Sequence, residues 1–215
     1  MTATLRDLIS TNTCTLTFVG MSNTGKSTLA KRFEEKTGFR RFSVDDHIEQ
    51  ELRLPNIEAS AQWLSYPGTS NYTEHAPTYL ALEDRFTLEA ATMDHHANTI
   101  IDTTGSVVHL PPTTGALLRE RSFVVHLRAS EKSITFAIDQ YFKIPKPVIW
   151  GDHFTQSAGQ DVTSALRESY PSLLRARLAL YEQMAHVSID ASRVFGLSPE
   201  EVISLLDKEQ TVLRI

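Results

Sequence analysis

The sequence predicts an α/β domain in which a parallel sheet is wrapped by helices on both faces. Two observations carry that prediction. Short β-rich apolar runs alternate with helical patterns along the chain, and the first of these runs opens through a glycine-bounded loop into a helix. Sheets of this kind bind ligands at the carboxyl ends of their strands, so the residues that follow each strand are the first candidates for chemistry.

Residues 14–19, CTLTFV, form the first predicted strand, and residues 26–37 place Leu29, Ala30 and Phe33 on one helical face before Gly38 stops the helix. RRFSV at 40–44 is the second strand, followed by a helix from Asp45 to Leu52 that Pro55 ends. Residues 55–78 hold Trp63, Tyr66, Pro67, Gly68, Asn71 and Tyr72. They are too aromatic for a linker and too broken for one long element, and read as an insertion that covers something. Trp63, Tyr66 and Tyr72 either line a pocket or form the insertion's own small core. An amphipathic helix follows at 79–95, where His95 and His96 suit the helix end, then a strand NTIID at 98–102 and another, FVVHL, at 123–127. Residues 131–141 read as helical. Residues 143–163 hold two prolines and two glycines without a clean period and read as a mobile flap. A helix at 164–184, a strand HVSID at 186–190 and a helix over 198–208 complete the chain, the last with Ser198 as N-cap and Pro199 at its first position.

With 215 residues, 41% hydrophobic and 22% charged, the chain fits one domain, 1–215, that carries its insertion and flap. A net charge of −5 gives no basic footprint for nucleic acid or an anionic membrane. Cys14 is the single cysteine and lies in a predicted strand, and neither a secretory leader nor a run of about 18 apolar residues is present, so a cytoplasmic protein is expected.

The loop between the first strand and its helix is G-x-x-x-x-G-K-S, Gly20 to Ser27. Its two glycines permit backbone angles that let successive N–H groups wrap a polyphosphate, and the helix adds its positive end. Gly20, Met21, Ser22, Asn23, Thr24, Gly25, Lys26, Ser27 and Thr28 are therefore the candidate ATP-binding residues. Lys26 would reach the terminal phosphates and the Ser27 hydroxyl would hold Mg²⁺. Asp102, at the end of an apolar strand, is the candidate metal-side acid or else a loop cap with Thr103 and Thr104. Asp45, directly after the second strand, is a candidate to accept a substrate hydroxyl's proton or else a plain helix cap. No zinc-type histidine or cysteine spacing, no G-x-S-x-G elbow and no guanine-reading N-K-x-D is present.

Over most of its length the chain resembles the shikimate kinase family. TFVGMSNTGKSTLAKRFEEKTGF is similar to the family's opening, FSVDDHIEQ to its second-strand acidic motif, and LLRARLALYEQMAHVSID with GLSPEEVISLL to its closing helix, strand and helix. NTIIDTTGSVV occupies the place of its glycine-rich acceptor loop. The resemblance implies a P-loop kinase fold with a five-stranded parallel sheet, an acceptor-binding insertion at about 55–78 and a lid at about 143–163. It places Asp45 where acceptor hydroxyls bind, Thr104 and Gly105 in the acceptor loop, Arg177 where an acceptor carboxylate binds, and Lys146 where a lid arginine closes on the transferring phosphoryl group.

The chain also departs from the family's pattern. Leu80 stands where a second carboxylate-binding arginine is expected, the acceptor loop reads Thr104, Gly105, Ser106, and Ser43 replaces the first acid of a D-x-D pair. Asp102 can supply that acid from the neighbouring strand. Together these imply an ATP- and Mg²⁺-dependent kinase whose acceptor is a hydroxyl-bearing small molecule other than shikimate, acting as a monomer or weak homodimer. True shikimate kinase activity and a nucleotide-binding regulatory module without transfer chemistry are the alternatives.

Overall fold

The computed structural model describes residues 4–94 and 96–212. Its centre is a five-stranded, all-parallel sheet in the order β2-β3-β1-β4-β5. The strands are β1 (Thr15–Val19), β2 (Arg40–Ser43), β3 (Thr99–Asp102), β4 (Phe123–Arg128) and β5 (Val187–Asp190). All five expected strands are present, with ends moved by a residue at most. Alternate residues of a strand enter opposite faces, which is why the three inner strands β1, β3 and β4 each feed two cores. On one face Leu16, Phe18, Ile100, Val125 and Leu127 pack with Leu29 and Phe33 of α2 (Lys26–Thr37) and with Val202 and Leu206 of α10 (Pro199–Val212). The short α1 (Leu5–Ser10) joins that face through Leu5.

On the other face Val19, Ile101 and Val124 pack with α3 (Val44–Leu52), α5 (Ser70–Thr92), α6 (Pro112–Arg121), α7 (Glu131–Lys143) and α8 (Val162–Met184). A short α4 (Ile57–Leu64) precedes α5, and a four-residue α9 (Ala191–Val194) follows β5. Among the described residues no helix is long and apolar enough to cross a membrane.

Two stretches differ from the sequence expectation. The insertion at 55–78 is not irregular: Asn56 caps α4, and α5 starts at Ser70 on a Thr69 cap and runs through Pro77. Pro77 lacks one intrahelical N–H, which obscured the pattern without ending the helix. Trp63 stacks on His75 at 4.1 Å, and the Tyr72 hydroxyl accepts a hydrogen bond from the Trp150 amide at 2.6 Å. These two aromatics are partly buried and pack against the core on that face of the sheet.

The second stretch is the flap at 143–163. Its centre is core, with Val148, Ile149 and Trp150 buried and Trp150 fully so, ringed by Tyr141, Phe154 and Tyr170. An apolar triplet between two breakers anchors where composition alone suggested mobility. His95 lies outside the described residues, and the helix before it ends at Thr92.

Candidate active site

The loop after β1 is built by backbone conformation. Gly20 has φ +143°, and a Cβ there would meet the Leu127 carbonyl oxygen at 2.7 Å. Gly25 has φ +89° and is the N-cap of α2, with no side chain capping the helix. Asn23 is also left-handed, at φ +65°, a conformation asparagine tolerates better than most residues. The uncapped start of a long helix leaves orphan N–H groups and a partial positive charge, a site suited to phosphate. Lys26 is buried, and its ammonium donates to the carbonyls of Gly20 at 2.7 Å and Met21 at 2.9 Å. Burial pulls its pKa down to about 8 against the fields of Asp102 and Asp45, while Lys146 and Arg177 push it the same way as burial. Five sequence-chosen groups thus share one electrostatic neighbourhood.

A cleft of about 600 Å³ opens there. Ser22, Asn23, Thr24, Gly25, Lys26, Ser27 and Thr28 line it together with Asp45, Gly105 and Lys146. Gly20 and Met21 lie beneath: the Met21 side chain is in the core, so that residue can offer a ligand only its backbone. Asp45, half-buried in the first turn of α3, accepts from the Tyr79 hydroxyl at 3.3 Å. Burial and the nearby Asp102 raise its pKa to about 6. The helix cap itself is Ser43, whose hydroxyl accepts from the Asp46 amide, so Asp45 is not spent on capping.

Asp102 is buried, and its Oδ1 accepts from Ser27 Oγ at 3.2 Å. It is no loop cap, since Thr103 bonds instead to the Phe18 carbonyl. Its Oδ2 is held by Arg41, which also reaches Asp46. Among the described residues no group of three or more His, Cys, Asp or Glu could hold a metal. One hydroxyl and one carboxylate still suit Mg²⁺, which takes few protein ligands beside substrate phosphates.

The acceptor loop divides. Gly105 lines the cleft, whereas Thr104 is buried and donates to Glu83, whose other oxygen accepts from Ser106 Oγ at 2.6 Å. Burial raises Glu83 to about 7 against those two hydroxyls. Arg177 is also buried, its Nε donating to His109 Nε2 at 3.0 Å and its Nη2 to the Ile149 carbonyl at 2.5 Å. Burial and Arg177 hold His109 near pKa 4, which keeps it neutral and able to accept. Gly105 separates Arg177 from the loop after β1: a Cβ there would lie 3.8 Å from Arg177 Nη1 and 3.1 Å from Ser22 Oγ.

No family model matches the chain. It is 23% identical over 200 residues to shikimate kinase 2 of Yersinia pseudotuberculosis serotype O:3 (strain YPIII), covering 92% of this chain and 98% of that protein. It superposes on the shikimate kinase of Acinetobacter baumannii in complex with shikimate with a TM-score of 0.66, at 17% identity, covering 93% of this chain and 97% of the other. The fold is that of the shikimate kinase-like P-loop kinases. The shikimate kinase of Bacteroides thetaiotaomicron agrees, with a TM-score of 0.61 at 17% identity over 94% of this chain and 99% of that one.

Within the shikimate kinase-like frame, sequence reasoning missed Arg41, Tyr79, Glu83 and His109. Tyr79 and Glu83 are four residues apart on one face of α5 and both buried, on a face that continues with Phe86, Thr87 and Ala90. That spacing was readable. Arg41 was readable only as the residue two before Ser43 on a period-two strand, because its partner is on a different strand.

Proposed function

We propose that this chain is an ATP-dependent phosphotransferase that moves the γ-phosphoryl group to a hydroxyl of a small polar or anionic metabolite other than shikimate. One observation carries the reading: a single cleft contains both the uncapped start of α2 with Lys26 and the Asp45 carboxylate. Asp45 accepts the hydrogen bond of the acceptor hydroxyl. As that oxygen bonds to phosphorus, the bond from phosphorus to the β,γ-bridging oxygen breaks, ADP leaves with the electron pair, and the proton passes to Asp45. Lys26 and Lys146 offset the charge that builds on the transferring group. When bound, Mg²⁺ would be held by Ser27 and through Asp102, and would neutralise phosphate charge.

The acceptor preference rests on substitution. Leu80 is a partly buried packing residue where the resemblance expects a second arginine, and losing such a charge-assisted contact costs about 1.5–3 kcal/mol. Arg177, buried behind Gly105, is the proposed partner of an anionic group on the acceptor. All these groups come from one chain, so a monomer or weak homodimer suffices, and an ATP-using enzyme with its one cysteine buried fits the cytoplasm. The test is a phosphate-transfer screen of hydroxylated acids and polyols with ATP, shikimate included. A product from another acceptor at higher kcat/KM than shikimate is expected. Shikimate as the best acceptor would overturn the specificity, and ATP binding without any product would favour the second reading, a nucleotide-binding module, which the absence of arginine between Ala129 and Leu166 supports.

A further inference from the structure

The nucleotide end of the cleft carries a cation of its own. Asp102 Oδ1 faces the Ser27 hydroxyl, and Oδ2 accepts from Arg41 Nε at 3.0 Å and Nη2 at 2.8 Å. The third arm, Nη1, reaches Asp46 Oδ2 at 2.9 Å. The register explains the reach. Arg41 stands opposite Ile100 and Ser43 opposite Asp102, so Asp102 is Arg41's diagonal neighbour across two parallel strands, within range of a long side chain. Arg41 and Ser43 share a face of β2, and Ser43 contributes no charge to answer the guanidinium. The two side chains are 10% and 3% exposed, so little water screens them from each other. A guanidinium does not deprotonate in proteins, which makes this positive charge permanent. It lines the same cleft as Lys26 and Ser27.

We propose that Arg41 is a built-in cation of the nucleotide site, which neutralises Asp102 and thereby weakens the dependence of nucleotide binding on a divalent metal. The inference rests on the nucleotide-binding part of the proposed function and adds a regulator of its metal requirement. Two effects act in one direction. Arg41 attracts phosphate charge when no metal is bound, and it cancels the only carboxylate that hydrogen-bonds Ser27 among the described residues. Removing it weakens metal-free binding and strengthens the metal's contribution.

Calorimetric titration of ADP into the protein, once with MgCl₂ and once with EDTA, gives the ratio of the two dissociation constants for each variant. Arg41→Gln should raise the ratio of metal-free to metal-bound Kd about tenfold, the size of an ordinary coupling between two sites. Arg41→Lys, which keeps the charge and loses the fork, should stay near the wild-type ratio. Asp102→Asn removes the buried one of the guanidinium's two acidic partners and leaves only the exposed Asp46, so metal-free ADP should bind tighter and the ratio should fall. An unchanged or lower ratio in Arg41→Gln, or a higher one in Asp102→Asn, overturns the proposal, and the second variant decides if the first does not fold. Wild-type protein that binds ADP in neither buffer overturns the nucleotide reading and this inference with it. Wild-type binding with ratios that do not move overturns the inference alone.

Discussion

Lys26 and Asp45 carry opposite perturbations for related reasons, and each yields an expected outcome. The Lys26 ammonium rests on two carbonyls of its own loop, a contact that phosphate would compete for. Lys26→Ala should therefore weaken ADP binding by calorimetry at least tenfold and abolish turnover, and unaltered affinity would end the phosphate-cradle reading. The proposed transfer uses the ionised form of Asp45, whose pKa burial and Asp102 raise from 3.8 to about 6, so kcat/KM should fall with unit slope as pH drops below about 6. The stability sign is opposite. The fold binds this proton more tightly than the unfolded chain does, so the group's favourable contribution is fully present below 3.8 and is lost as pH rises through about 6. Asp45→Asn should consequently lower kcat by about 10²–10⁴ while stabilising the protein at neutral pH by up to about 2 kcal/mol, a ceiling reduced for partial exposure to solvent. A variant that is both inactive and less stable at neutral pH would mean that Asp45 holds structure instead.

Elements decide where those residues stand, and the flap is the informative case. Trp150 is fully buried between α7 and α8, so Trp150→Ala should destabilise the protein by about 3–5 kcal/mol in denaturant melts, whereas a surface lid would tolerate it within about 0.5 kcal/mol. The flap's composition hid this, because prolines and glycines dominate a period count while three apolar neighbours decide burial. The strands other than β2 were legible for the converse reason: they are short β-rich runs with apolar residues at their centres, closed by polar or turn residues. The glycine loop was legible because its chemistry lies within eight consecutive residues. Arg41 with Asp102, and Arg177 with His109, were not, because each pair joins residues that only strand order and helix packing bring together. The early start of α5 was lost at Pro77, where a rule about helix breakers outweighed a sound N-cap at Thr69.

At the scale of the molecule, two cores share one sheet, with α2 on one face and α3, α5 and α8 on the other. A ligand gripped at the head of α2 thus ties the loop to both layers. ADP with Mg²⁺ at about a hundred times its Kd should stabilise the wild type by about 2.7 kcal/mol and raise its Tm by several degrees, and the same concentration should give Lys26→Ala about half that shift or less. An equal shift in that variant would place the ligand elsewhere. The order β2-β3-β1-β4-β5 seats the cradle at the end of the innermost strand, while Arg41 and the turn into Asp45 hang from β2, an outer strand of four residues with a single neighbour. In the proposed reading the hub thus holds the phosphate cradle, and the rim holds both the nucleotide-site cation Arg41 and the acceptor's base Asp45. A substitution in β2 is therefore expected to move nucleotide and acceptor binding together, because one short outer strand carries Arg41 and leads directly into Asp45.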